Sequence, residues 1–364
     1  MVRGGPCIRE DVRIVCLNQD AGIAPGRKKG AAVHLAAMRE AFTVQGAAVV
    51  ALDEADETKV EARLAALGGI DLVYERYALG KSRGARYCAV RGIPLVVEVN
   101  APLAEEETRY RGAEVAEEWG ARDRELFAGA ALVIAVSSEV AKYAVARGAR
   151  PERTHVRANG VDTKRFRPRT AGDPVRERLV PAGRFALGFH GRLRPWHGFG
   201  LFARAAERLL AEGAPIHLVL IGEGEFEPEL AGRVPAERVT RIPWVEHHEI
   251  GPYVASFDAL PLTYDPDAPC YFSPLKLAEA MACGAVPVLP RLGDLENAAT
   301  HELDALFYQA GDIEALLASI RLLLQDRERY LRLSRGAVAS AQTKSWNAIA
   351  EFVLAETSRK GDRR

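Results

Sequence analysis

Short, continuous apolar runs recur along the chain, separated by stretches with helical spacing. In the first half they are VRIVCLN (12–18), AAVVALD (47–53), DLVYER (71–76), PLVVEVN (94–100), ALVIAVS (131–137) and THVRANG (154–160). Continuous rather than alternating hydrophobicity is expected of parallel strands covered on both faces. Between the first two runs, Leu35, Met38 and Phe42 follow the 3, 4 spacing of a buried helix face. Residues 163–184 hold three prolines and many arginines with little periodicity, which predicts an interdomain linker. A second series then begins: FALGFHG (185–191), PIHLVLIG (215–222), RVTRIP (238–243), DALPLTY (258–264), AVPVLP (285–290) and ALFY (305–308). The pattern predicts an α/β chain of two Rossmann-like domains facing across a cleft. The tail SWNAIAEFVLAE (345–356) reads as one amphipathic helix.

The length of 364 residues fits two domains. Forty-nine basic residues against 49 acidic ones give a formal net charge of zero, without the basic surplus of a general nucleic-acid binder. No uncharged apolar run approaches the ~18 residues of a membrane span. The N-terminal stretch MVRGGPCIREDVRIV has no signal-peptide core. Cys7, Cys16, Cys88, Cys270 and Cys283 are odd in number and form no CxxC pair. A reduced, cytoplasmic chain is expected. Forty of the 49 basic residues are arginine, a skew that points to a GC-rich coding sequence.

Ligands of open α/β sheets bind beyond the carboxyl ends of the strands, so the strand-to-helix loops carry the candidate chemistry. After the first strand, Gly22, Pro25, Gly26 and Gly30 form a flexible turn with a helix starting near Gly30. Its N-terminus, beside Arg27, Lys28 and Lys29, is either an anion site or a solvated basic loop. It matches neither GxGxxG nor the P-loop, which disfavours a bound NAD or an ATPase.

In GFHGRLRPWHGFG (188–200), Arg192 suits bidentate phosphate recognition, Gly198 precedes a helix, and Trp196 and His197 sit on the loop. In YFSPLKLAEAMACGAVPVLP (271–290), Ser273 and Pro274 fit the N-cap and first positions of a helix. Lys276 and Glu279 then lie three apart on one face, either as a surface ion pair or as ligand-binding groups. His247-His248-Glu249 lacks a spaced third ligand, so no metal site is expected. Glu105-Glu106-Glu107 reads as a solvated helix face. Glu75 and Arg76 are either acceptor-side groups or a structural ion pair.

Gly191-Arg192, Gly198, SPLKLAEAMACGAVPV and Gly311-Asp312, with NGVDTKRF (159–166) upstream and SWNAIAEFV at the end, resemble the retaining glycosyltransferases of family 4, which have the GT-B fold. The likeness runs in order through nearly the whole chain. It implies an acceptor-binding domain over 1–170, a nucleotide-sugar donor domain over 171–344, and a helix over 345–364 crossing back to the first domain. By the same resemblance, Glu279 holds the donor ribose and Arg192 pairs with the diphosphate. Gly30 lies near the donor phosphates, Ser273 and Leu275 face the distal phosphate, and Val245 contacts the nucleobase.

Three positions depart from the family pattern. Tyr271 replaces the first glutamate of E-x7-E, His197 stands where GR-x4-KG has its lysine, and Asn100 replaces a histidine near the donor sugar. With the SPLK form of the loop, they suggest altered sugar contacts. The expected reaction is metal-independent, front-face transfer from a UDP- or GDP-sugar to a hydroxyl acceptor. Arg192, His197 (if protonated), Asn100 and Lys276 are the catalytic candidates, and no cofactor is needed beyond the nucleotide-sugar. Peripheral membrane contact through Arg27–Lys29 is compatible with this reading. A non-catalytic nucleotide-sugar-binding protein and a sugar-nucleotide epimerase are the alternatives.

Overall fold

The structure, a computed structural model, describes residues 12–23, 30–112, 114, 116–267, 270–271 and 273–358, without the side chains of residues 110 and 111. Cys7 and the basic loop Arg27–Lys29 lie outside the described residues. The chain divides into two compact units: Met1–Gly160 with Tyr271–Ser273 and Trp346–Arg364, and Val161–Cys270 with Pro274–Ser345.

The first unit is built on strands β1 (Arg13–Asn18), β2 (Ala48–Asp53), β3 (Leu72–Arg76), β4 (Leu95–Val99), β5 (Leu132–Ala135) and β6 (Thr154–Val156). They form one parallel sheet in the order β2-β1-β3-β4-β5-β6. Every residue of β3, β4 and β5 is buried, the result of helices covering both faces. Val15, Leu17, Val73, Val97 and Val133 point into one core with Leu64 and Phe127. The predicted face of Leu35, Met38 and Phe42 is buried in the helix Gly30–Val44, where Phe42 meets Tyr74 edge-on. The tail forms the helix Trp346–Ser358, which packs on Gly30–Val44 within this unit.

The second unit holds β7 (Phe185–His190), β8 (Ile216–Ile221), β9 (Val239–Ile242), β10 (Ala259–Pro261), β11 (Val286–Arg291) and β12 (Leu306–Gln309). Its sheet is also parallel, in the order β12-β11-β10-β7-β8-β9. The helix Phe199–Ala211 buries Phe199, Phe202, Ala206 and Leu209 against it. Both sheets therefore follow the sequence pattern strand for strand, with boundaries shifted by no more than four residues.

Residues 163–184 are not a free linker. Asp173 caps a short helix, Pro174–Leu179, by accepting from the N–H groups of Val175 and Arg176. Arg169 and Arg176 converge on the buried carboxylate of Asp258, at 2.6 and 2.9 Å. Arginines that read as linker polarity are the partners of a buried charge, and pairing of this kind is what allows a carboxylate to leave water. Among the described residues, no helix is long and apolar enough to cross a membrane.

Candidate functional site

Strand order locates the candidate sites. In the second sheet the chain starts at β7, runs outward through β8 and β9, and resumes on the other side with β10, β11 and β12. The order reverses between β7 and β10, and open α/β sheets bind ligands at such a reversal, beyond the carboxyl ends of the strands. His190 ends β7 there, and the helix Leu275–Ala282 follows β10.

Glu279, on that helix, is almost wholly buried. Its Oε2 accepts from Nε2 of His190 and its Oε1 from Nε2 of His247, each at 2.7 Å. Burial alone raises a carboxyl pKa, but these two donors more than offset it and hold Glu279 at about 2. Burial pushes His190 down, so its imidazole is neutral and donates through Nε2. Sequence reasoning missed both histidines as partners of Glu279. His190 was legible only as the residue before Gly191-Arg192, and His247 as part of a metal-like triplet. That triplet is split, for His248 pairs instead with Glu249 on the surface.

Lys276 and Glu279 have different partners although they share a helix face. Lys276 Nζ lies 3.3 Å from Nε2 of His197 and 4.2 Å from the centre of the Phe189 ring. Burial pulls Lys276 down to about 7, against the opposing charge of Glu279. His197 is held well below the histidine range by burial, then by Lys276 and Arg194, so the protonated form on which a charged role depended is not the one present at neutral pH. It keeps a hydrogen-bonding role: Nδ1 accepts from the backbone N–H of Arg194 at 3.0 Å. Gly198, which follows, has φ +59°, and a Cβ there would stand 1.9 Å from the carbonyl oxygen of Thr263. Only glycine fits this approach.

Arg192 follows β7 on the surface and forms an ion pair with Glu223. Val245 is part-buried in the loop after β9, and Leu275 is the first residue of the Lys276 helix. The second unit thus carries Arg192, His197 and Val245 on segments that follow strands of its sheet, and Leu275, Lys276 and Glu279 on the helix after β10.

Gly30, Asn100 and Ser273 belong to the first unit. Gly30 opens its helix, as predicted. Ser273 does not cap the helix that follows: Pro274 occupies the N-cap position without a side-chain bond. The reason is competition, because Ser273 Oγ accepts from the backbone N–H of Asn159 at 2.9 Å and its carbonyl from Asn159 Nδ2 at 2.6 Å. Tyr271 donates through its hydroxyl to Glu106, which gives one glutamate of the 105–107 run a specific partner.

Asn159 Oδ1 faces Nδ1 of His34 at 2.7 Å, and Nε2 of His34 pairs with Glu98. Both ring nitrogens therefore face side-chain oxygens. Burial would raise Glu98, but His34 and then Arg76 hold it below the usual carboxylate range. Asn100 joins this group through Nδ2, 3.3 Å from Glu98 and 3.5 Å from His34. Glu75 and Arg76 do not pair with each other, since adjacent strand residues face opposite ways. Arg76 interacts with Glu98, whereas Glu75 accepts from Gln19 Nε2 at 2.6 Å. His34, Glu98 and Asn159 were missed; the one sequence signal was the NGVD segment containing Asn159.

Known proteins resemble the chain over both units. Residues 12–165 match glycosyltransferase family 4 and residues 184–326 match the glycosyl transferases group 1. D-inositol 3-phosphate glycosyltransferase 1 of Catenulispora acidiphila is 28% identical over 314 residues, covering 80% of this chain and 73% of its own. The D-inositol 3-phosphate glycosyltransferase of Thermomonospora curvata is 30% identical over 312 residues, covering 79% and 71%. In fold, the chain is similar to Anabaena HepE crystallised with UDP, with a TM-score of 0.73 at 20% identity over 96% of this chain and 100% of that one. With two parallel six-stranded sheets of GT-B type and these matches in both units, the chain belongs to the group 1 glycosyltransferases, family 4.

Proposed function

We propose that this glycosyltransferase is retaining and metal-independent, and moves a hexosyl group from a UDP- or GDP-sugar to a hydroxyl acceptor. Donor binding is assigned to the second unit and acceptor binding to the first. The observation that carries the reading is the convergence of Lys276, His197 and the buried Glu279 at the reversal of the second sheet. Loss of a nucleoside diphosphate needs preorganised donors where negative charge develops. Lys276, the His197 N–H, Arg192 and the N-terminus of the helix Leu275–Ala282 are donors of that kind. Arg192 can leave Glu223 at little cost, because an exposed ion pair contributes only ~0–1 kcal/mol. Glu279, an ionised acceptor with lone pairs remaining on both oxygens, suits ribose hydroxyls. In front-face attack, the departing phosphate oxygen takes the acceptor's proton as the new glycosidic bond forms, so no protein base is required.

The test is transfer from UDP- and GDP-sugars to an acceptor panel that includes D-inositol 3-phosphate, named for the relatives above, with product anomers assigned by NMR. A retained anomer in the presence of chelator is expected. An inverted product overturns the stereochemical assignment. Nucleotide binding without transfer or donor hydrolysis favours a binding protein, and donor epimerisation without acceptor favours an epimerase.

A further inference from the structure

His197 and Lys276 present a hydrogen-bonding conflict. The backbone N–H of Arg194 donates to Nδ1 of His197 at 3.0 Å, so the proton of a neutral His197 sits on Nε2. That N–H points at Lys276 Nζ, 3.3 Å away. An ammonium has three donors and no acceptor, so a protonated Lys276 would meet the His197 N–H donor to donor. A neutral amine has a lone pair and accepts it. We propose that Lys276 rests as a neutral amine accepting from His197, and that binding of a donor diphosphate loads it with one proton from solvent.

The incoming anion removes the conflict. A phosphate oxygen lying against both groups accepts from the His197 N–H and from the new ammonium, so two opposed donors become two converging ones. The proton goes onto the Lys276 nitrogen and no other bond changes. The charged and titratable groups around Lys276 fit this account. Glu279, on the same helix, is occupied by His190 from β7 and His247 from the loop after β9. Arg194, on the His197 loop, adds like charge. Tyr264, after β10, lies beside His197 with its phenol pushed far up by burial and therefore neutral. The face of Phe189 under Nζ favours the ammonium in both states, so it opposes the resting amine and adds to the anion's effect once the anion is bound. The depression of Lys276 to about 7 agrees with the hydrogen-bond geometry.

The inference rests on the donor reading above but has a readout that needs no donor. The chain has nine lysines, so 13C-lysine NMR of the ligand-free protein, assigned with Lys276→Arg, can follow each one with pH. One resonance titrating near neutrality is expected; Lys276 titrating with the other lysines overturns the proposal. Calorimetry with UDP-glucose and GDP-mannose at pH 8, in buffers of different ionisation enthalpy, then reads the proton directly. Uptake close to one proton, with affinity falling about tenfold per pH unit from pH 7.5 to 9, is expected. Lys276→Arg, permanently charged, should bind with no uptake and a flat pH profile. Binding without uptake in the wild type, or equal uptake in Lys276→Arg, overturns the inference. A neutral Lys276 by NMR with no donor binding overturns the donor reading instead.

Discussion

Nε2 of His247 donates to Oε1 of Glu279 across 2.7 Å, tying the loop after β9 to the helix after β10. This contact fixes one carboxylate oxygen while His190 fixes the other. Substitution of His247 by alanine leaves Glu279 with a single donor and a freer rotamer. A lost hydrogen bond to a charged group costs ~1.5–3 kcal/mol. His247→Ala should therefore weaken UDP- or GDP-sugar binding by roughly tenfold or more and lower the melting temperature. Titration calorimetry and thermal unfolding check it, and unchanged values in both would show that the contact does not position Glu279.

Arg192 offers the opposite case, an exposed side chain whose partner Glu223 is also exposed. Its removal should leave stability within ~0.5 kcal/mol, the range of ordinary surface substitutions. Turnover should fall about a hundredfold, the scale of losing one preorganised donor to a developing oxyanion. Steady-state kinetics on Arg192→Ala, with a urea melt alongside, separates the two effects. Near-normal turnover would remove Arg192 from the diphosphate site.

The fold was legible because parallel strands buried on both faces announce themselves as uninterrupted apolar runs, and all twelve appear in the sheets. The candidates Arg192, Lys276 and Glu279 could be singled out because they stand in segments of recognisable spacing after predicted strands. The rest depended on distance along the chain. His190 lies 89 residues from Glu279, and Asn159 lies 114 residues from Ser273. No local pattern encodes such pairings, nor the burial that leaves His197 neutral. Asp258 hid in the same way, because Arg169 and Arg176 look like linker charges until the sheet brings them to it.

Gly198 links backbone geometry to the His197–Lys276 pair. Its φ is +59°, and a Cβ at this position would stand only 1.9 Å from the Thr263 carbonyl oxygen, which leaves no room for a side chain. Gly198→Ala should cost more than the ~1 kcal/mol of left-handed strain alone, since a carbonyl must also move. The expected result is a lower melting temperature and weaker donor binding, because the His197 loop shifts with it. Two-state urea unfolding measures the first; stability equal to wild type would contradict the close approach.

Glu75 makes a prediction of opposite sign from most carboxylates. Burial pushes it up to about 8 from an ordinary 4.5, against the opposing hydrogen bond from Gln19. Gly84 permits this burial, since a Cβ there would lie 2.3 Å from Glu75 Oε2. The native state keeps the proton between those two values while the unfolded chain has released it. Stability from this group is therefore fully present in acid below the ordinary carboxyl range and is lost as pH rises toward about 8. The limiting slope is ~1.4 kcal/mol per pH unit. Glu75→Gln preserves the neutral shape and cannot ionise, although its second N–H group adds an unpaired donor costing ~1–3 kcal/mol. The variant should be less stable than wild type at pH 5 and more stable at pH 8, with the two curves crossing between. Urea unfolding across that interval tests it; parallel curves would mean that Glu75 is ionised in the folded protein.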